Sequence, residues 1–103
     1  MQFKKNLYIG QNIHNPSKIQ KKILNRSFFV NAYIITLALN ADQLEIFEAR
    51  ILRQKYYHES PRTVVGIATD YQEAIDLILE ITRDSVKHGY EGRLKEYLSE
   101  KGF

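Results

Sequence analysis

The stretch FFVNAYIITLALN, residues 28–40, decides the fold of this 103-residue chain. Ten of its thirteen residues are apolar, and six of those ten are aromatic or β-branched, which favours a strand over a helix. Both alternating sets of side chains are apolar, so we expect a central strand, Phe28–Leu39, that is covered on both faces. A membrane span needs about 20 predominantly apolar residues. Asn31 interrupts this run, and Arg26 and Asp42 bound it, so we expect no membrane insertion.

A second apolar run, TVVGIAT, predicts a shorter partner strand at Thr63–Thr69. Its Gly66 indicates close approach by a neighbouring backbone or side chain. A weaker signal at Leu7–Ile9 predicts a third strand, which gives a small parallel or mixed sheet of two to three strands. A crossover helix between the two main strands would make them parallel, with a right-handed connection.

A helix is predicted after each main strand, because an aspartate is followed three residues later by a glutamate, as in a capping box. Asp42 with Glu45 predicts a helix two that runs to about Tyr57. Asp70 with Glu73 predicts a helix three whose apolar face is wide enough to pack on a sheet and on another helix. Strand, cap and helix thus occur twice, and we expect a βαβα core.

Shorter helices complete the predicted domain. Asn15 followed by Pro16 is typical of a helix start, and this helix one runs to about Asn25. Helix three should end near Gly89, which can supply a left-handed closing residue. A last helix is predicted at Arg93–Lys101. We expect a single small α/β domain over residues 1–103, with three to four helices packed on the sheet.

The composition excludes several kinds of chemistry. The chain has no cysteine, which excludes disulfides, thiolate catalysis and cysteine-ligated metal sites. Residues 1–27 hold six basic residues and no acidic one, whereas the remainder holds nine basic and twelve acidic residues. The N-terminal third is therefore basic. It has no apolar core of signal-peptide length, which predicts a cytoplasmic location.

The order of four motifs carries a resemblance: NLYIG near the start, YIITLALN and DQLEIF in the middle, and VVGIATDYQEAIDLILEI later. In this order the chain resembles a group of short uncharacterised α/β proteins of Firmicute bacteria, over about Asn6 to Leu98. The resemblance implies a bacterial, cytoplasmic origin and a stand-alone small domain. It implies no activity and no catalytic residues.

Residue patterns of common active sites are absent from the sequence. His14, His58 and His88 have no paired spacing, and no phosphate-binding glycine loop, GxSxG or HExxH motif occurs. We therefore predict no catalytic, cofactor-binding or metal-binding residues. The acids of the two predicted caps would lie at the carboxyl ends of the strands, where open α/β sheets bind ligands. Capping already explains them, and a pocket at the Asn40 and Thr69 strand ends is the alternative.

One segment, RILRQKYYHESPR at residues 50–62, interleaves basic and aromatic side chains, which suits phosphate contacts and base stacking. The candidate interaction or nucleic-acid surface comprises Lys18, Lys21, Lys22, Arg53, Lys55, Tyr57 and Arg62. The alternative interpretation is that Tyr56 closes the core while the cations neutralise local acids and solvate a helix end.

The apolar strand and helix surface exceeds what two or three strands can cover. We therefore expect a non-catalytic interaction or regulatory module that acts by protein association, as a homodimer or with another protein partner, and without a cofactor. The alternative is a nucleic-acid-associated accessory protein that uses the basic and aromatic surface. An enzyme of unknown reaction is the third hypothesis.

Overall fold

A computed structural model of the chain describes residues 1–25 and 31–100. The strands are β1 (Gln2–Ile9), β2 (Tyr33–Leu37), β3 (Leu44–Glu48) and β4 (Thr63–Ala68). The helices are α1 (Pro16–Leu24), α2 (Lys55–His58), α3 (Tyr71–Lys87) and α4 (Leu94–Glu100), and a 3₁₀ segment spans Ala49–Arg53. None of these helices is long and apolar enough to cross a membrane. The fold is mixed α/β, and it has more strands than the two to three that were predicted.

The described strands form one mixed sheet in the order β1-β4-β2-β3. β4 is parallel to β1 and antiparallel to β2, while β3 is antiparallel to β2. The prediction that the two main strands are parallel is wrong, because the chain between them forms a hairpin strand and not a crossover helix. Of the predicted βαβα core, the structure therefore retains the second strand and its helix, which are β4 and α3. β2 is an inner strand, as expected, but the predicted residues 28–30 lie outside the described residues.

Both faces of β2 are buried, which confirms that the central strand needs two covers. The Ile34 side chain is fully buried on one face, in a cluster to which α1 contributes Ile23 and the 3₁₀ segment contributes Leu52. The Ile35 side chain is fully buried on the other face, against Leu77 of α3 and residues of α4. The sheet therefore lies between a layer of α1, the 3₁₀ segment and α2 and a layer of α3 and α4.

The predicted helix two is wrong. Residues 44–48 form β3, in which Leu44 and Ile46 face the α3 layer while Phe47 packs towards the α1 layer. Asp42 does not cap this segment. Its carboxylate instead accepts a hydrogen bond of 2.9 Å from the backbone N–H of Lys95, in the first turn of α4. Glu45, the other half of the predicted box, forms an ion pair with Arg62.

The other helix starts follow the sequence signals. Asn15 caps α1 by accepting from the backbone N–H of Lys18 at 3.1 Å, with Pro16 as the first helical residue. Asp70 caps α3 by accepting from the backbone N–H of Glu73 at 2.8 Å. Gly89 follows the end of α3 with a φ of 86° and confirms the predicted stop.

Gly66 in β4 is tightly enclosed, as its place in an apolar strand predicted. A Cβ at this position would lie 3.2 Å from the Tyr8 carbonyl oxygen and 3.3 Å from Cδ1 of Ile35. The β1 backbone therefore approaches β4 more closely than a side chain at Gly66 would comfortably allow.

Candidate functional site

Six of the seven residues predicted as an interaction or nucleic-acid surface lie in the α1 layer. Lys18, Lys21 and Lys22 are on α1, and Lys18 and Lys21 are exposed. Arg53 ends the 3₁₀ segment and is exposed, while Lys55 begins α2 and is exposed too. These five cations are called the basic layer here. The sequences of α1, the 3₁₀ segment and α2 contain no acidic residue.

Tyr57 and Arg62, the remaining two, make contacts inside the molecule. Arg62 Nε donates to Glu45 Oε1 at 3.0 Å, and its side chain is only 13% exposed. Its guanidinium lies 5.5 Å from the ring centroid of Phe47 and 5.8 Å from that of Tyr57. The hydrogen bond to Glu45 raises the pKa of Arg62 above its ordinary value. This cluster links β3 to the residue that directly precedes β4.

The two adjacent tyrosines occupy environments opposite to the ones inferred for them. Tyr57 is half-buried and packs on the core cluster of the α1 layer, where its ring is 5.6 Å from that of Phe47. Tyr56, which was expected to close the core, is 69% exposed. The exposed aromatic group beside the basic layer is therefore Tyr56, which sequence reasoning assigned to the interior.

A cleft of about 360 Å³ lies where β1 and β4 end side by side, between α3 and residues 10–15, which follow β1 and are called the β1 loop. At its base the buried Glu73 accepts hydrogen bonds from three donors. They are the Thr69 backbone N–H at 2.8 Å, the Thr69 hydroxyl at 3.0 Å and the Asn12 backbone N–H at 3.0 Å. A Cβ on Gly10 would overlap the Glu73 carboxylate. Glu73 thus ties the β1 loop to the start of α3, and both of its carboxylate oxygens accept hydrogen bonds.

The predicted acids do not converge at one pocket. Asp70 and Glu73 lie at the cleft, whereas Glu45 pairs with Arg62 at the opposite end of β4 and Asp42 lies at α4. Because β2 runs antiparallel to β4, the strand ends at Asn40 and Thr69 are at opposite ends of the sheet. Within residues 1–25 and 31–100, no group of three or more histidines and acids is placed to hold a metal ion.

An exposed apolar surface runs along α3, on a side of the helix that does not face the core. Tyr71 is 57% exposed, and Leu79 and Val86 are 55% and 48% exposed. Together with half-buried Ile75 and exposed Thr82 they form what we call the α3 stripe. The core face of the same helix is formed by other residues, namely Ala74, Leu77, Ile81 and Ser85. One side of the wide apolar face predicted for helix three is therefore covered by the sheet and the other side is exposed.

The α3 stripe borders the edge strand β3. α3 contacts β3, and Leu44 and Ile46 of that strand are only half-buried on the α3 face. The rings of Tyr33 and Tyr71 meet edge to face, with their centroids 6.1 Å apart. Helix, strand edge and aromatic pair thus make one continuous apolar region, called the α3–β3 face. Sequence reasoning missed the part that belongs to β3, because it placed those residues in a helix.

Comparison of the chain with protein-family models, with curated proteins and with solved structures gave no significant match. The likeness to Firmicute proteins stays a prediction, and the residues themselves carry the functional argument.

Proposed function

We propose that the protein is a non-catalytic module that acts by associating with another protein chain through its α3–β3 face. The observation that carries this proposal is the α3 stripe, in which Tyr71, Leu79 and Val86 are each about half exposed along one side of one helix. Scattered exposed apolar residues are normal on any protein, but a contiguous apolar surface is typical of an interaction site. Tyrosine is also enriched at such sites.

The two edge strands of the sheet differ in how they are protected against further pairing, and this difference also favours the α3–β3 face as the interaction site. The β1 edge carries Lys4 and Lys5, and its register is irregular between Phe3 and Tyr8. Lysines and irregular pairing protect an edge strand from joining further strands. β3 has the sequence LEIFE, without lysine or proline, and pairs regularly with β2 over its whole length. The edge without lysine or irregular pairing is the one beside the α3 stripe.

The proposal is tested by a charge placed in the stripe, Leu79→Lys, with Glu80→Lys as the matched control. Both substitutions introduce a lysine on an exposed position of α3, but only Leu79 belongs to the stripe. Light scattering of the purified chain, together with co-purification from the source cell, should show an association that Leu79→Lys abolishes and Glu80→Lys retains. If Leu79→Lys behaves like the unmodified chain in both measurements, the proposal is wrong.

The second candidate function is nucleic-acid association through the basic layer. The observation that favours it is the grouping of Lys18, Lys21 and Lys55 as exposed cations in one layer whose helices carry no acid. A protein that neutralises three phosphates loses affinity with salt at a log–log slope of about −2 to −3. Exposed Tyr56 would supply a stacking surface next to these cations.

Fluorescence anisotropy with labelled single- and double-stranded oligonucleotides at low salt tests the second candidate. Reversal of Lys18 and Lys21 to glutamate should weaken binding and lower the salt slope by about two. Lys87→Glu is the control, because Lys87 is an exposed lysine at the end of α3 in the other layer. Absence of binding at low salt, or equal loss in the control, excludes this function.

A further inference from the structure

The α3 stripe has the spacing of a two-helix seam. Ile75, Leu79, Thr82 and Val86 follow one another at intervals of four, three and four residues. This alternation keeps a row of side chains facing one partner helix over several turns, as the core positions of a coiled coil do. Tyr71 extends the row by one further turn towards the start of α3.

The charges beside the seam indicate which helix fits it. Asp76 and Arg83 each directly follow a seam residue, seven positions apart, so they lie on the same flank of the seam. In a parallel pair this flank faces the opposite flank of the partner helix, which would place Asp76 beside Tyr71 and Arg83 beside Ile78, without a charge pair. An antiparallel second α3, with Ile75 opposite Val86 and Leu79 opposite Thr82, places Asp76 of each copy beside Arg83 of the other. Opposite charges at such flanking positions set partner choice and orientation.

The flanking charges are available for such pairing. Asp76 accepts a hydrogen bond of 3.1 Å from Gln72 of its own helix, which leaves its second carboxylate oxygen for another donor. Arg83 is exposed and has no ion-pair partner within residues 1–25 and 31–100. A twofold axis near the middle of α3 would create two identical Asp76–Arg83 pairs, and each would satisfy an arginine that is now solvated.

The size of the face is also suited to a second copy. The 17 residues of α3 extend over about 25 Å. The helix side is roughly 10 Å wide, and β3 adds a strip roughly 5 Å wide and about 17 Å long, so the projected area is on the order of 300 Å². Side-chain relief makes the accessible area larger than its projection, towards the roughly 500 Å² per partner that is the lower limit for a specific interface. The second helix would lie above β3 and cover Leu44 and Ile46.

From seam spacing, flanking charge and area, we infer that the occupant of the α3–β3 face is a second copy of this chain, bound through antiparallel α3–α3 packing with reciprocal Asp76–Arg83 pairs. This inference rests on the proposed association function and names its partner. An isologous twofold contact needs a surface that is complementary to itself, and the positions of Asp76 and Arg83 provide that property.

Sedimentation of the full-length chain from about 1 to about 200 µM tests the inference over the range in which standard interfaces of moderate affinity dissociate. The unmodified chain should pass from monomer to dimer. Asp76→Arg and Arg83→Asp each place two like charges next to each other at the dimer contact. Each substitution should therefore raise the dimer dissociation constant at least about tenfold at low salt. The variant with both substitutions restores opposite charges at each pair. Its dimer dissociation constant should therefore return to within about threefold of that of the unmodified chain.

Circular dichroism verifies that each variant is folded, and Glu80→Lys serves as the off-seam control. A chain that stays monomeric over this range, or single exchanges that behave like the control, overturns the inference. A double variant that is no better than the singles overturns the antiparallel pairing. If the chain alone is monomeric but co-purifies with a different protein in a manner that Leu79→Lys abolishes, association stands as the function and the second copy is excluded as partner. If no association of either kind occurs, both proposals fail.

Discussion

The contact between Gly10 and the Glu73 carboxylate allows a quantitative prediction by double substitution. Glu73 holds the β1 loop and the start of α3 through two bonds from Thr69 and one from Asn12. Hydrogen bonds to a charged group are worth about 1.5–3 kcal/mol each. Because Asn12 is exposed, water can replace its bond and part of the others. We therefore expect Glu73→Ala to lower the free energy of unfolding by about 3 kcal/mol.

Gly10→Ala should cost about the same for a different reason. Its Cβ would overlap the Glu73 carboxylate and force that group out of its hydrogen bonds, at a cost of about 3 kcal/mol. Gly10 is not among the glycines with positive φ, so alanine adds no backbone strain there. In a Glu73→Ala background the Cβ enters vacated space and should cost close to nothing, which makes the coupling energy about 3 kcal/mol.

Urea unfolding of the four proteins, followed by circular dichroism, measures this coupling. Gly92→Ala is the control, because Gly92 has a φ of 73° and a Cβ added there would meet no atom within 4 Å. We expect it to cost about 1–2 kcal/mol in both backgrounds, through backbone conformation alone. If Gly10→Ala costs the same in both backgrounds to within about 0.5 kcal/mol, the overlap with Glu73 is not its cause and the reasoning is refuted.

Three further predictions concern buried polar groups. The Tyr8 hydroxyl donates to Asp84 Oδ2 at 2.9 Å, so the 2.9 Å contact with Tyr97 is one in which Tyr97 donates. Tyr8→Phe should cost about 2 kcal/mol and lower the melting temperature by about 10 °C, and an unchanged melting temperature would contradict this role. Burial lowers the pKa of the Lys4 ammonium to about 8 from 10.5. Between these values the unfolded chain binds more protons, so stability should rise with pH, and Lys4→Met should remove this rise in urea unfolding at pH 8 and 10.5. The buried Thr36 hydroxyl has no hydrogen-bond partner among the described residues, so Thr36→Val should stabilise the chain by about 1 kcal/mol in the same assay.

The parts of the fold that were predictable are those specified by neighbouring residues. Asn15 and Asp70 cap their helices through backbone groups three positions away, and the signals are complete within one turn. The inner strand was recognisable because both of its faces are apolar, as Ile34 and Ile35 show by being fully buried on opposite sides. Gly89 could be read in the same local way, since a left-handed residue commonly ends a helix.

Helix two could not be rejected from the sequence, because residues 44–52 satisfy two periods. Leu44, Phe47 and Ile51 recur at helical spacing, yet Leu44 and Ile46 also alternate with Glu45 and Phe47 as a strand requires. The apparent cap at Asp42 serves a helix more than fifty residues later, through Lys95, and no local pattern reveals that contact. Tertiary pairing with β2 decides the competition.

The candidate site was partly predictable for the same reasons. The lysines of α1 were identified because they lie on the outside of a short amphipathic helix whose phase is clear. Tyr56 and Tyr57 were exchanged because their phase was taken from the incorrect helix, and a shift of one residue turns a helical side chain by about 100° around the axis. The apolar width of α3 was visible in the sequence, but its exposure beside β3 depended on a strand that had not been recognised.

The position of β4 has a consequence for how the chain can fold during synthesis. β4 is the strand that both β1 and β2 pair with, and Gln2 is matched to Thr63 across about sixty residues. Until residues 63–68 leave the ribosome, the β2–β3 hairpin is the one pairing of the described strands that can form, and an isolated hairpin is marginally stable in water. β1 must therefore wait for β4, and the large loop that closes between these two strands predicts slow folding.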